Sequence, residues 1–166
     1  MEETTKSYIA GIIDGEGSLL IKRTRDKYKR IRYDASIAIG MNDEKTIKFI
    51  SDSLGISYSS RLDKKTKHMV YKIFVSAKKA DVVLKLIFPY LVGKIQQALI
   101  LMLFIEFRKT KKQYYTESGG TRIFKSQYVS HNGIISPTKR LNSEYFRICE
   151  RFYWGCKEMK YYKTLD

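Results

Sequence analysis

Between residues 18 and 41 apolar side chains recur at every second position. Leu19, Ile21, Ile31, Tyr33, Ala35, Ile37, Ile39 and Met41 hold odd positions, while Lys22, Thr24, Asp26, Arg30, Arg32, Asp34, Ser36 and Gly40 hold most even ones. A period of two belongs to a strand with one buried and one wet face, so the segment predicts a long β-hairpin turned around residues 27–29. Leu20 and Ala38 are apolar exceptions on the wet side. Residues 5–13, before the hairpin, read as a short helix ending at glycines. After it the period lengthens. Asn42 is placed to cap a helix over 43–54, whose inner stripe is Ile47, Ile50 and Leu54 and which Gly55 stops.

A second strand pair is expected over 56–63 and 68–76, joined by "KKTK". Tyr71, Ile73 and Val75 alternate there with Val70, Lys72 and Phe74, which leaves the buried face undecided. A helix from Ala77 carries Ala80, Val83, Leu84 and Ile87 inward and is stopped by Pro89. Lys94 leads into an apolar helix to about Phe107, followed by the basic run "RKTKK". Residues 113–135, rich in Tyr, Ser, Thr and Gly, read as a loop or irregular hairpin. Ser136 and Pro137 have cap-then-first-turn form and open a last helix with Leu141, Tyr145, Ile148 and Phe152 on one face.

The element order is α-β-β-α-β-β-α with more helix after it, an α+β fold. Two such hairpins form one antiparallel sheet with helices on one face. The other face stays open, and its side chains are largely cationic. A strand of nine or ten residues spans about 30 Å, or about nine base pairs of duplex. A twisted two-stranded ribbon fits the major groove, and an unbound ribbon of that reach is poorly anchored.

Charge sharpens this picture. Thirty-two Lys and Arg face 17 Asp and Glu, a formal net charge of +15. Such an excess repels itself in the compact state and points to a polyanionic partner. The longest apolar run, "ALILMLFI" over 98–105, is eight residues, whereas a membrane span needs about 20, so a buried helix is expected and no membrane partner. The opening "MEETTKSY" lacks the basic-then-apolar layout of a secretory signal, so an intracellular protein is expected. Cys149 and Cys156 on one helix are separated by a rise of about 10 Å, too far for a disulfide. His68 and His131 are isolated, so no zinc site is implied.

The glycines near the start carry the most specific signal. Gly11 and Gly15 lie on one helical face with Ala10 beside them, and small residues there let two helix backbones approach closely. Gly15 and Gly17 let the chain leave the helix in conformations closed to other residues, holding Glu16 at the helix end. A glycine stop beside a surface acid would look the same. The full string "YIAGIIDGEGSL", residues 8–19, resembles the LAGLIDADG signature of homing endonucleases, and the hairpin, helix, hairpin, helix, helix order follows. Only one copy of the motif is present, which resembles the single-motif class that works as a homodimer. The resemblance covers about 5–108; residues 109–166 would be a C-terminal extension of the same single domain.

The resemblance implies a fold whose curved antiparallel sheet forms a saddle over double-stranded DNA. It implies an intron-encoded enzyme that cuts a long pseudo-palindromic site once per strand and leaves short 3′ overhangs. The motif helices of two chains would pack at the dimer axis through Ala10, Gly11, Asp14 and Gly15. Glu16 and the Gly15 carbonyl occupy the positions of the divalent-metal ligands. Mg²⁺ suits such hard oxygen donors, with two or three ions per dimer, partly shared, and no small-molecule cofactor is implied. Asp14 is expected to be structural. Asp43 falls where relatives often hold a water-ordering Gln, although an acid in a first helical turn has its own structural use. Lys94 falls where relatives keep a Lys near the scissile phosphate; the bland alternative is a surface lysine at a helix start. Relatives' second basic site residue falls near Ile47, which cannot serve, with Lys48 adjacent.

Candidate DNA contacts are Lys22, Thr24, Asp26, Arg30, Arg32, Asp34 and Ser36 from the first hairpin, and Ser59, Arg61, His68 and Lys72 from the second. Arg and Lys pair best with guanine and Asp can accept from cytosine, while "DKYKR" and "RKTKK" would grip phosphates. Two other readings stand beside the nuclease. One is an RNA-splicing maturase or non-cleaving DNA-binding regulator on the same scaffold; the other is a basic ribosome-associated protein, which would be a monomer.

Overall fold

The structure, a computed structural model, describes residues 1–25, 31–110 and 143–161, with the short strands at 115–116, 130–131, 134–135 and 140–141. The first helix, α1 (Glu3–Glu16), is longer than the sequence predicts: it runs through Gly11 and Gly15 and ends at Glu16. Ile9, Ala10 and Ile13 are fully buried on its inner face. Glycine costs a helix interior about 1 kcal/mol each, and burial of that face outweighs the cost.

Gly17 has ordinary extended backbone, φ −76° and ψ 158°, so conformational freedom is not why it is glycine. A Cβ there would lie 2.7 Å from both the Cα and the carbonyl oxygen of Ile13. The chain turns so tightly from helix to strand that only a hydrogen fits. Gly17→Ala is therefore expected to cost about 1–3 kcal/mol of stability. Gly15→Ala, where an added Cβ meets nothing within 4 Å, should cost the isolated chain nothing; urea denaturation of the two variants separates these outcomes.

β1 (Gly17–Arg25), β2 (Ile31–Met41), β3 (Tyr58–Leu62) and β4 (Met69–Ser76) form one open antiparallel sheet in the order β1-β2-β4-β3. The turn between β1 and β2 lies outside the described residues. Leu19, Ile21, Tyr33, Ala35, Ile37 and Ile39 are buried, as the period of two requires. The undecided second hairpin buries Ile73 and Val75 and leaves Phe74 43% exposed.

Helix α2 (Glu44–Leu54) is capped by Asp43, not Asn42. The Asp43 carboxylate accepts hydrogen bonds from the Lys45 and Thr46 amides at 3.1 and 3.3 Å and from the Thr46 hydroxyl. Gly55 closes α2 in the left-handed conformation, φ 62°. Helix α3 (Ala77–Ile87) buries the four expected side chains, and a 3₁₀ turn over Phe88–Tyr90 leads on to α4 (Ile95–Lys109).

The last helix, α5 (Ser143–Tyr161), begins later than Ser136 and Pro137, which lie outside the described residues. Leu141 sits not in this helix but in the two-residue strand β8 (Arg140–Leu141), paired with β5 (Tyr115–Thr116); β6 (Ser130–His131) pairs with β7 (Ile134–Ile135). Phe107 of α4 stacks on Tyr145 of α5 at 5.3 Å. The Tyr33 hydroxyl donates to Glu150, which Arg23 also approaches at 3.0 Å. Burial, then the bond to Glu150, pushes the Tyr33 phenol far above its usual range. These contacts tie α5 to the first hairpin. Cys149 and Cys156 are buried and share no disulfide. Among the described residues no helix is long and apolar enough to cross a membrane.

Candidate functional site

Two reciprocal contacts fix the end of α1. The Asp14 carboxylate accepts the backbone amides of Val92 and Gly93 on one oxygen, at 2.7 and 3.0 Å, and that of Lys94 on the other, at 2.8 Å. In return the Lys94 ammonium donates to the carbonyls of Ile13, at 2.7 Å, and Asp14, and stands 3.5 Å from that of Gly15. These carbonyls lie in the last turn of α1, at the negative end of its dipole, and that of Ile13 also accepts the Gly17 amide. Asp14 therefore acts within its own chain as a latch at the end of α1, the structural use expected of it. Burial opposes its ionisation, but the amides of Val92, Gly93 and Lys94 outweigh that and hold its pKa below the ordinary carboxylate value.

A lowered folded pKa makes the latch's contribution complete above the ordinary carboxylate range and lost as pH falls through the lowered value. Asp14→Ala should cost about 1–3 kcal/mol at pH 7. In urea titrations the gap from the parent should narrow as pH falls below the ordinary carboxylate range, because the parent loses the same bond as Asp14 protonates.

This arrangement brings Gly15 and Lys94 together beside Glu16, whose side chain is exposed at the last position of α1. Among the described residues no three His, Cys, Asp or Glu side chains are grouped to hold a metal. One chain thus offers the Glu16 carboxylate and the Gly15 carbonyl: hard oxygen donors that fit Mg²⁺ or Ca²⁺ only as part of a larger set. Asp43 spends its carboxylate on capping α2, and the Thr46 hydroxyl, then the backbone amides, keep its pKa low.

The helix bearing Glu16 has a second, outward face. Gly11 and Gly15 are exposed, and among the described residues a Cβ built on either meets nothing within 4 Å beyond the helix's own backbone. Ala10, expected beside them on a dimer surface, is 0% exposed inside the chain's own core. Successive helical residues point about 100° apart, and that step separates Ala10 from Gly11.

The candidate DNA contacts fall into three groups. Lys22, Arg32, Ser59, Arg61, His68 and Lys72 are exposed and Thr24 partly so; Ser59 and Lys72 are direct cross-strand partners. Ser36 is 0% exposed, which removes it as a contact; its hydroxyl donates to the Asp34 carbonyl at 3.4 Å. Asp34 is ion-paired to Arg108 at the end of α4, at 2.5 Å, instead of standing ready for a cytosine. Asp26 and Arg30 lie outside the described residues. Lys109 of the basic run is paired with Glu106. Sequence reading missed the Asp14–Lys94 latch, although one sign was there. The turn that leads into α4, "LVGK", presents three successive backbone amides and has no Ser, Thr, Asp or Asn of its own to accept from them.

The sequence model describing LAGLIDADG endonucleases matches residues 9–101, more than half of the chain. Among curated proteins none matches the sequence. Solved structures share the fold at low identity. The archaeal intron-encoded homing endonuclease I-Vdi141I, complexed with DNA, is 13% identical with a TM-score of 0.66, over 96% of this chain and 86% of that one. The homing endonuclease I-CvuI, in complex with its target in the presence of Ca, is 18% identical with a TM-score of 0.57, over 66% of this chain and 70% of that one. The LAGLIDADG meganuclease I-CpaMI, bound to uncleaved DNA, is 19% identical with a TM-score of 0.53, over 65% of this chain but 39% of that one. The motif at the end of α1, the open four-stranded sheet and the matched residues lead to one conclusion: the chain belongs to the LAGLIDADG endonuclease family.

Proposed function

We propose that the protein is a site-specific DNA endonuclease that acts as a homodimer with divalent metal and cuts one phosphodiester per strand of a long pseudo-palindromic duplex. The observation that carries this reading is an exposed Glu16 beside a helix face bearing two glycines that nothing in the chain fills. Each glycine costs about 1 kcal/mol of helix stability, and among the described residues nothing packs on the outward face that bears them. A second α1 lying across that face would gain close backbone approach and bring a second Glu16 to the same place. A two-fold dimer also supplies the two carboxylates that one chain lacks. The chain spans only 39% of I-CpaMI, as expected if one chain makes half of a site.

Divalent metal, when bound, activates water and neutralises charge on the leaving 3′ oxygen. The chain's own part is to hold Glu16 and the Gly15 carbonyl as ligands at the end of a helix that Asp14 and Lys94 lock in place. Water oxygen bonds to phosphorus as the bond to the 3′ oxygen breaks, and extra negative charge develops on the phosphate. The Lys94 ammonium, 3.5 Å from the Gly15 carbonyl, puts a positive charge at the same helix end and favours that charge electrostatically. Asp43 takes no part, since its carboxylate is committed to α2. Lys22, Arg32, Arg61 and Lys72 face the duplex from the sheet. The homing endonuclease I-CvuI, solved with its target in the presence of Ca and with the uncleaved I-CreI target in the presence of Mg, supports the choice of duplex and metal.

The test is incubation of the protein with Mg²⁺ and a randomised duplex library, with the cut ends sequenced. A single pseudo-palindromic site about twice the length that one hairpin covers, roughly 18–20 base pairs, is the expected result. Specific duplex binding without cut ends would point to a non-cleaving regulator, and tighter binding of intron RNA than of duplex DNA to a maturase.

A further inference from the structure

The open face of the sheet is not uniformly polar. Phe74, on the interior strand β4, is 43% exposed. It pairs directly with Ala38 on β2, and Leu20 of β1 stands opposite Ser36 on the same face. Three apolar side chains from three strands thus make a small patch, bordered by Lys22 and Lys72, both exposed. This phenylalanine lies among exposed cations and is absent from the buried core.

Resting on the DNA reading above, we propose that Phe74 is a specificity-determining residue that reads the 5-methyl group of a thymine in the major groove. Apolar side chains distinguish thymine by that methyl, the one apolar group a base pair displays there. The orientation of the ring favours this over stacking on an unpaired base. The Lys22 ammonium lies over the ring, 5.3 Å from its centroid, so a ring face that a base would stack on carries a cation instead, and the ring edge remains. Position follows from register. Phe74 pairs with Ala38, one residue from Ile39, the partner of Gly17, and Gly17 follows Glu16. The thymine therefore belongs to the inner part of each half-site, toward the scissile phosphates.

The experiment selects bound duplexes from a randomised library with the parent protein, Phe74→Ala and Phe74→Leu. The parent and the Leu variant should enrich thymine at one inner position of each half-site, and the Ala variant should lose that preference alone. Deoxyuridine at that position in the recovered duplex, which removes only the methyl, should weaken parent binding about 3–5-fold and Phe74→Ala binding not at all. A recovered site with no inner thymine, or equal parent affinity for the thymine and deoxyuridine duplexes, overturns the proposal and leaves the nuclease reading standing. Recovery of no duplex at all, or preferential binding of single-stranded RNA, removes both.

Discussion

Glu16→Gln is expected to lower the rate of duplex cleavage by at least about 10³-fold while leaving specific duplex affinity within a few-fold. Glutamine keeps the length and one carbonyl oxygen of the glutamate but removes the charge that holds a hard cation. The side chain is exposed at the last position of α1 and makes no contact on which the fold depends, so the variant should fold and melt like the parent. In the function proposed above base recognition belongs to the sheet and not to this position, which is why binding should survive. Gel-shift affinity and single-turnover cleavage on the duplex recovered by selection separate the two quantities. Full cleavage by this variant would remove Glu16 from the chemistry; loss of binding with loss of cutting would place it in recognition.

Gly11→Leu is expected to act in opposite directions on the single chain and on the pair. In the chain the new side chain enters open space and replaces a poor helix former by a good one, so the fold should gain about 1 kcal/mol. At a two-fold seam the same leucine is met by its own copy. Overfilling at two symmetric positions should raise the dimer dissociation constant on the order of 10²–10³-fold. Sedimentation should show dimer for the parent and monomer for the variant at micromolar concentration, and denaturation at dilutions where both are monomeric should show the variant unfolding later. Cutting should fall with assembly, because one chain holds one Glu16. An unchanged sedimentation profile would put the contact elsewhere.

How far the sequence could be read depended on how local each cause was. The first hairpin was legible because its buried face repeats every second residue over two long strands, and neighbouring strands share that period. The second was ambiguous because Phe74 is as apolar as the Ile73 and Val75 it sits between, and only the packing of helices on one side shows which are covered. The length of α1 was misread because glycine is a local signal of helix ending, whereas the burial of Ile9, Ala10 and Ile13 that carries the helix past Gly11 and Gly15 is a tertiary effect. Adjacent Asn42 and Asp43 are both good caps by residue type, and their order along the chain does not say which carboxamide or carboxylate will reach the helix amides. The latch joins Asp14 to a segment near Val92, and the Asp34–Arg108 pair joins β2 to α4; no local pattern reports contacts of such separation. Glu16 was legible because the motif gives it by position, and its exposed placement at the helix end agrees with that.

The 100° step between Ala10 and Gly11 has an evolutionary corollary. If two α1 helices pair as proposed, folding and assembly are written on the same helix in different residues, so a substitution at one leaves the other's instructions intact. Joining two copies of this gene end to end would free each half to alter its own Gly11 or Gly15 in turn, and a symmetric recogniser of palindromes could drift toward asymmetric targets without either half having to learn to fold again.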